Sequence, residues 1–129
     1  MAYLTFCPGR MFETSESKEG VCDITPIHVL GVAAAPNVVI IPAVASKRIV
    51  VVSGVLRART VQTDVAFFSN PAGVQIHTYT VPAVGAATPN VDILPQPWGA
   101  FVTTAGQSLC ANFGAGDCDV SLMYYYYVP

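Results

Sequence analysis

Residues 38–58 read VVIIPAVASKRIVVVSGVLRA, two apolar, β-branched runs joined by Ala45-Ser46-Lys47-Arg48. Valine and isoleucine crowd their own χ1 angles and fit a pleated sheet better than a helix. Pro42 would break a helix interior but is tolerated at the end or edge of a strand. The second run, Ile49 to Val52, has no polar face. A strand apolar on both sides is covered on both sides. One side is therefore expected to meet the domain core, and the other a second layer or another subunit. Gly54, two residues on, marks a bulge or bend.

The same alternation of short strand and turn continues along the chain. Expected strands are Ile27–Val32, Val38–Ile41, Arg48–Ala58, Gln62–Ser69, Val74–Val81, Val91–Leu94, Ala100–Thr103, Ser108–Phe113 and Asp119–Val128. In Val74–Val81, Val74 and Ile76 are expected to face in, and Gln75 and His77 out. Asn70-Pro71-Ala72-Gly73 is a turn in which proline presets φ and glycine accepts a positive one. Pro82–Asn90 and Gly114–Asp117 read as loops, and Pro95-Gln96-Pro97 as a stiff corner. No segment carries a sustained 3.6-residue apolar period with helix caps. The expected fold class is all-β, an antiparallel β-sandwich, jelly-roll-like. Residues 26–129 form this domain, and residues 1–25 an N-terminal arm.

The arm differs in composition. It holds four of the eight acids, Glu13, Glu16, Glu19 and Asp23, with Ser15, Ser17 and Lys18 among them. Its first residues are expected to pair as a strand and Glu13–Gly20 to be a solvated loop. Tyr3, Leu4, Phe6, Met11 and Phe12 give it an apolar grip suited to a neighbouring subunit.

Over the whole chain of 129 residues, 53% are hydrophobic and only 11% charged. An ordinary globular domain is about a quarter charged. A chain so poor in charge hides surface in an assembly or sits in a membrane. The longest apolar stretch, Val29–Ala45, is interrupted by Pro36, Asn37 and Pro42, whereas a spanning helix needs about 20 apolar residues. MAYLTFCPGR is not a secretory signal, and Ala2 excludes myristoylation. Net charge is −2, and Lys47-Arg48 and Arg57-x-Arg59 are the sole basic clusters. Neither membrane nor nucleic acid is therefore expected as a partner.

Motifs that carry chemistry are missing. No serine lies in G-x-S-x-G, and H-E-x-x-H is absent. His28 and His77 fall in separate strands without the cluster a metal or a triad requires. Gly114-x-Gly116 has no helix behind it to bind phosphate. Asp117-x-Asp119 falls short of the 6–8 oxygens that calcium takes. Cys7/Cys22 and Cys110/Cys118 lack C-x-x-C spacing. Four buried thiols is one reading of them, and a local Cys110–Cys118 disulfide is its competitor. No cofactor, metal or enzymatic activity is expected.

The last strand ends Tyr124-Tyr125-Tyr126-Tyr127. Successive strand residues face opposite ways, so Tyr124 and Tyr126 join Val120 and Leu122 as core. Tyr125 and Tyr127 join Met123 on the far face. Tyrosine and methionine are enriched at protein interfaces, and tyrosine buries its ring while keeping its hydroxyl wet. The expected subunit interface is Val50, Val52, Met123, Tyr125 and Tyr127. A strand covered on both sides by the protein's own loops is the alternative, and a sugar-binding aromatic platform a third.

Several turn and strand signatures together resemble a known group. They are Ile41-Pro42-Ala43, then Ser46-Lys47-Arg48-Ile49, a phenylalanine-bearing strand before Asn70-Pro71-x-Gly73, then Leu94-Pro95-x-x-x-Gly99 and Thr104-Ala105-Gly106-Gln107-Ser108-Leu109. The pattern, over residues 36–127, is similar to that of small β-sandwich structural proteins of tailed bacteriophages. The resemblance implies a capsid decoration (cement) protein or a fibre-like domain, often jelly-roll-like and trimeric. The cysteine pairs and the acidic arm lie outside the pattern. The expectation is a non-enzymatic virion structural protein on the capsid exterior. It would be a homotrimer bound to the major capsid protein through arm residues including Tyr3, Phe6 and Phe12. The alternatives are a receptor- or glycan-binding fibre tip, using loops Asn70–Gly73, Pro82–Asn90 and Gly114–Asp117, and a trimeric ligand of the tumour-necrosis-factor type.

Overall fold

The β-branched runs do form strands. The computed structural model describes residues 3–7, 10–14, 20–70, 73–85, 90–96 and 99–128, with side chains from Ile24 onward except that of Val74. The strands are β1 (Tyr3–Cys7), β2 (Arg10–Thr14), β3 (Gly20–Asp23), β4 (Thr25–Val32), β5 (Ala35–Ile41), β6 (Arg48–Ala58), β7 (Thr63–Asn70), β8 (Val74–Val81), β9 (Asn90–Ile93), β10 (Phe101–Val102), β11 (Ser108–Phe113) and β12 (Cys118–Tyr127). No helix long and apolar enough to cross a membrane is present among the described residues.

Strands β4 to β12 make two antiparallel sheets. Sheet I runs β10-β6-β12-β4, with β9 also paired to β6, and sheet II runs β5-β11-β7-β8. The pairings are nested: β4 with β12, β5 with β11, β6 with β9 and β10, and β7 with β8. Alternate pairs fall in alternate sheets, as when one long hairpin is rolled up on itself. That is a jelly-roll sandwich. Its core lies between the sheets and includes Ile41, Ile49, Val51, Leu56, Val65, Phe67, Leu109 and Leu122. Phe67 stacks on Phe101, with ring centroids 5.1 Å apart.

The two-faced run in β6 is resolved by a bulge. Tyr124 stands opposite Val51 and Met123 opposite Ser53, so Val52 is an extra residue. Before the bulge, Ile49 and Val51 face the core; after it, Leu56 and Ala58 do. The phase of the strand changes by one residue, which bulges accomplish at the cost of a local bend. Gly54 follows two residues later. A Cβ there would lie 2.5 Å from the Ser121 carbonyl oxygen and 2.7 Å from Leu122 Cδ2. The glycine is required by close approach of β12.

The edge strands β4 and β5 are also bulged, each at a residue of positive φ, Gly31 (64°) and Asn37 (56°). A side chain of the neighbouring strand holds each freed N–H. Asp119 Oδ1 accepts from Gly31 N at 2.7 Å, and Asn112 Oδ1 accepts from Asn37 N at 2.8 Å. Bulged edges pair poorly with other chains.

Two expectations about strands are corrected. In β8, Phe67 faces His77 and Phe68 faces Gln75, leaving Ile76 as a bulge residue. His77 therefore shares the side of Phe67, remains exposed, and packs on Tyr79 with ring centroids 4.3 Å apart. Simple alternation fails because one inserted residue reverses it. The arm is more than one strand and a loop, since β1, β2 and β3 form a three-stranded antiparallel sheet of their own. Residues 15–19, within the acidic loop, lie outside the described residues.

Candidate interaction surface

The outer face of sheet I carries a second apolar cluster, separate from the sandwich core. Ile24, Val50, Val52 and Tyr125 are buried in it, and Val102, Met123 and Tyr127 pack around them half-buried. All five residues expected at a subunit interface thus come together, from β6 and β12. The alternation of β12 brings this about, with Val120, Leu122, Tyr124 and Tyr126 turned to the core. Tyr124 and Tyr126 meet edge to face at 5.6 Å, and the Tyr126 hydroxyl donates to the Pro42 carbonyl at 2.8 Å. Burial and the neighbouring Tyr124 raise the Tyr126 phenol above its ordinary range.

Within one chain Val50, Val52 and Tyr125 are only 2–3% exposed. Gly99, at φ 103°, lies over Val50, where a Cβ would come within 2.7 Å of Val50 Cγ1. The β9–β10 connection is fixed there by bonds from Gln96 N to Val52 O and from Ala100 N to Val51 O, at 2.8 and 2.7 Å. On the other side β3 runs beside β12. The second layer expected over the β6 run is therefore at least partly the chain's own, and Met123 and Tyr127 form its accessible rim. Tyr3 and Phe6 stand on β1 and Phe12 on β2; their side chains lie outside the described residues.

Beside the cluster the same face opens into a groove of about 380 Å³, lined by His28, Ser53, Val55, Asp92, Leu94 and Ser121 among others. Register places His28, Ser121, Val55 and Asp92 in one transverse row over β4, β12, β6 and β9. His28 Nδ1 and Ser121 Oγ are hydrogen-bonded at 3.0 Å. The row does not extend to a triad. Neighbouring strands lie about 4.8 Å apart, and Val55 separates Asp92 from Ser121 on the side away from His28. Among the described residues, no three His, Cys, Asp or Glu side chains are grouped as a metal would require. His28 and Ser121 are 93 residues apart, and strand register alone joins them, so in the sequence His28 stands alone.

The Cys110–Cys118 disulfide is not formed; both cysteines are free and buried. Cys118 lies in the core of sheet I, while Cys110 alternates with the core residues Leu109 and Ala111 and so faces the outside of sheet II. Its Sγ lies 3.4 Å from Ser108 Oγ. Burial pushes the Cys118 thiol up to about 11, the Asp119 carboxylate adding to the effect against a backbone hydrogen bond at Arg57. Cys7 and Cys22 have side chains outside the described residues. Asp119 is committed to the fold, accepting from Gly31 N and from Arg59 Nε at 2.9 Å.

The three loops named for a receptor tip do not gather at one place. Gly114 N bonds Asp64 O, and Val81 stands opposite Thr63, so the loops after β11 and β8 share one end of the sandwich. The β7–β8 turn is at the other end, where Thr104 N bonds Ser69 Oγ and Ser108 Oγ bonds Asn70 O. No protein-family model matches the chain, and no curated protein or solved structure matches it either.

Proposed function

We propose that this chain is a non-enzymatic virion structural protein, a decoration or cement protein that binds the capsid exterior. The observation that carries the proposal is the second apolar cluster on the outer face of sheet I, in a chain of which only 11% is charged. The chain covers Val50, Val52 and Tyr125 itself, and the partly exposed rim of Val102, Met123 and Tyr127 is the apolar area that an assembly would cover. In this reading Met123 and Tyr127 contact a neighbouring copy, over Val50, Val52 and Tyr125, and three copies close around a local three-fold axis. The arm, with Tyr3, Phe6 and Phe12, grips the major capsid protein. Bridging coat subunits adds interface free energy to the assembled shell alone, so the shell is stabilised by linkage.

The test is a comparison of particles with and without the protein. A cement protein co-purifies with shells in fixed ratio, and shells lacking it burst at lower temperature or ionic strength. Unchanged shell stability with lost adsorption to host cells would instead select the receptor-tip alternative.

A further inference from the structure

The outer face of sheet II mixes exposed amide and hydroxyl side chains with small apolar ones, Ala34, Ala35, Pro36 and Ala66. Two depressions, of about 490 and 210 Å³, meet there and share Ala66 and Asn112. Ala66 lies opposite both Asn112 and Thr78, so a methyl group forms the floor of a row whose neighbours are larger. Around it stand Asn37, Asp64, Gln75 and Thr80, all exposed, and Phe68, which is 7% exposed and lines the smaller depression.

These groups are held in place before any ligand arrives. Gln75 Nε2 donates to Thr78 Oγ1 at 2.7 Å, and Thr80 Oγ1 donates to Asp64 Oδ1 at 2.9 Å. The Asn37 N–H donates to Asn112 Oδ1. A backbone N–H bonds only to the oxygen of an amide, so the Asn112 side chain is oriented, with its NH₂ directed away from β5 and able to donate. Asn37 itself sits at φ 56°, a region uncommon outside glycine and tolerated by asparagine. Asp64 is the sole ionisable group among the trough residues named, and the Thr80 hydroxyl already bonds its carboxylate.

We infer that this trough binds a neutral glycan, with the amides of Asn37, Asn112 and Gln75 and the hydroxyl of Thr78 reading sugar hydroxyls. Amide and hydroxyl side chains offer donors and acceptors side by side, which vicinal sugar hydroxyls match, and the named trough residues offer no cation to an anionic ligand. The Ala66 floor and the rim of Phe68 supply the apolar contact a sugar ring's C–H face requires. Four strands about 4.8 Å apart give the row the length for an extended oligosaccharide. The inference does not rest on the proposed function, which assigns the copy contact to sheet I and the capsid contact to the arm.

The experiment titrates the full chain with maltotriose, chitotriose and a galactose-containing trisaccharide, followed by amide-resolved NMR. The side-chain NH₂ resonances of Asn37, Asn112 and Gln75 are expected to shift with one of them. Asn112→Ala should weaken that binding by about tenfold, the loss of one hydrogen bond. Ala66→Tyr, which fills the floor on the solvent side, should abolish it while leaving core amide signals in place. The inference is overturned by no shift with any sugar, by shifts confined to the loops after β8 and β11, or by unchanged binding in Ala66→Tyr. Preference for an acidic polysaccharide, or binding of an extended peptide alone, overturns it equally.

Discussion

At the scale of single residues, Gly54 and Cys118 illustrate opposite demands of the same sheet. Gly54 is needed because β12 passes too close for a side chain, with backbone oxygen as the obstacle. Gly54→Ala is expected to destabilise the fold by about 1–3 kcal/mol, the usual effect of overpacking, read as a lower urea midpoint. Cys118 is a thiol kept neutral by burial, raised from 9.0 to about 11. The phenols of Tyr79 and Tyr126 are raised too, with burial as the first cause of each. All three are acids that hold their protons more firmly folded than unfolded. The Cys118 contribution to stability is complete below the unfolded thiol value near 9 and is lost as pH rises towards 11, and the two phenols lose theirs in the same direction at alkaline pH. The melting temperature should therefore fall over that window, and Cys118→Ala should make the fall shallower. A pH profile unaltered by the substitution would remove Cys118 from the account. Native Cys118 should also resist alkylation at pH 8, since the thiolate is the reactive form.

At the scale of elements, the bulges decide most of what the strands do. Asp119 holds the β4 bulge through Gly31 N and holds Arg59 through its guanidinium. These two bonds differ in weight. Arg59 is 47% exposed, and an ion pair to so exposed a partner contributes little. Arg59→Ala should thus cost less than about 1 kcal/mol. Asp119→Ala strands the Gly31 N–H and should cost about 1–3 kcal/mol, with faster hydrogen exchange at Gly31. Equal losses from the two variants would show that the ion pair, and not the bulge, is what Asp119 serves. The strands themselves were largely legible, because β-branched runs and glycine or proline turns act locally. All nine strands from β4 to β12 fall where the sequence pattern placed them, within a few residues. The inserted residues Val52 and Ile76 were not legible, since valine and isoleucine suit either side of a strand. Hence His77 was assigned to the wrong face, while Tyr124 and Tyr126 were assigned correctly because no bulge separates them from Leu122 in their own strand.

At the scale of the molecule, the rim of the second cluster is the surface whose occupant decides the assembly. If the rim of the second cluster is a subunit contact, light scattering at low micromolar concentration gives three times the 13.6 kDa chain. Tyr127→Ser should then shift the mass toward the single chain without lowering its thermal stability, since Tyr127 is only half-buried. A single-chain mass for the unaltered protein would mean that the cluster is covered from within, by Gly99, Ile24 and the arm. The class of the fold, the strands, and the division of the tyrosines between two faces follow from local sterics and a period of two, and are therefore written in the chain itself. The tertiary structure alone decided the nested jelly-roll pairing, the separation of Cys110 from Cys118, and the meeting of His28 with Ser121 and of Asn37 with Asn112. Those depend on which strands become neighbours and in what register, and register is set by packing between residues far apart in the chain.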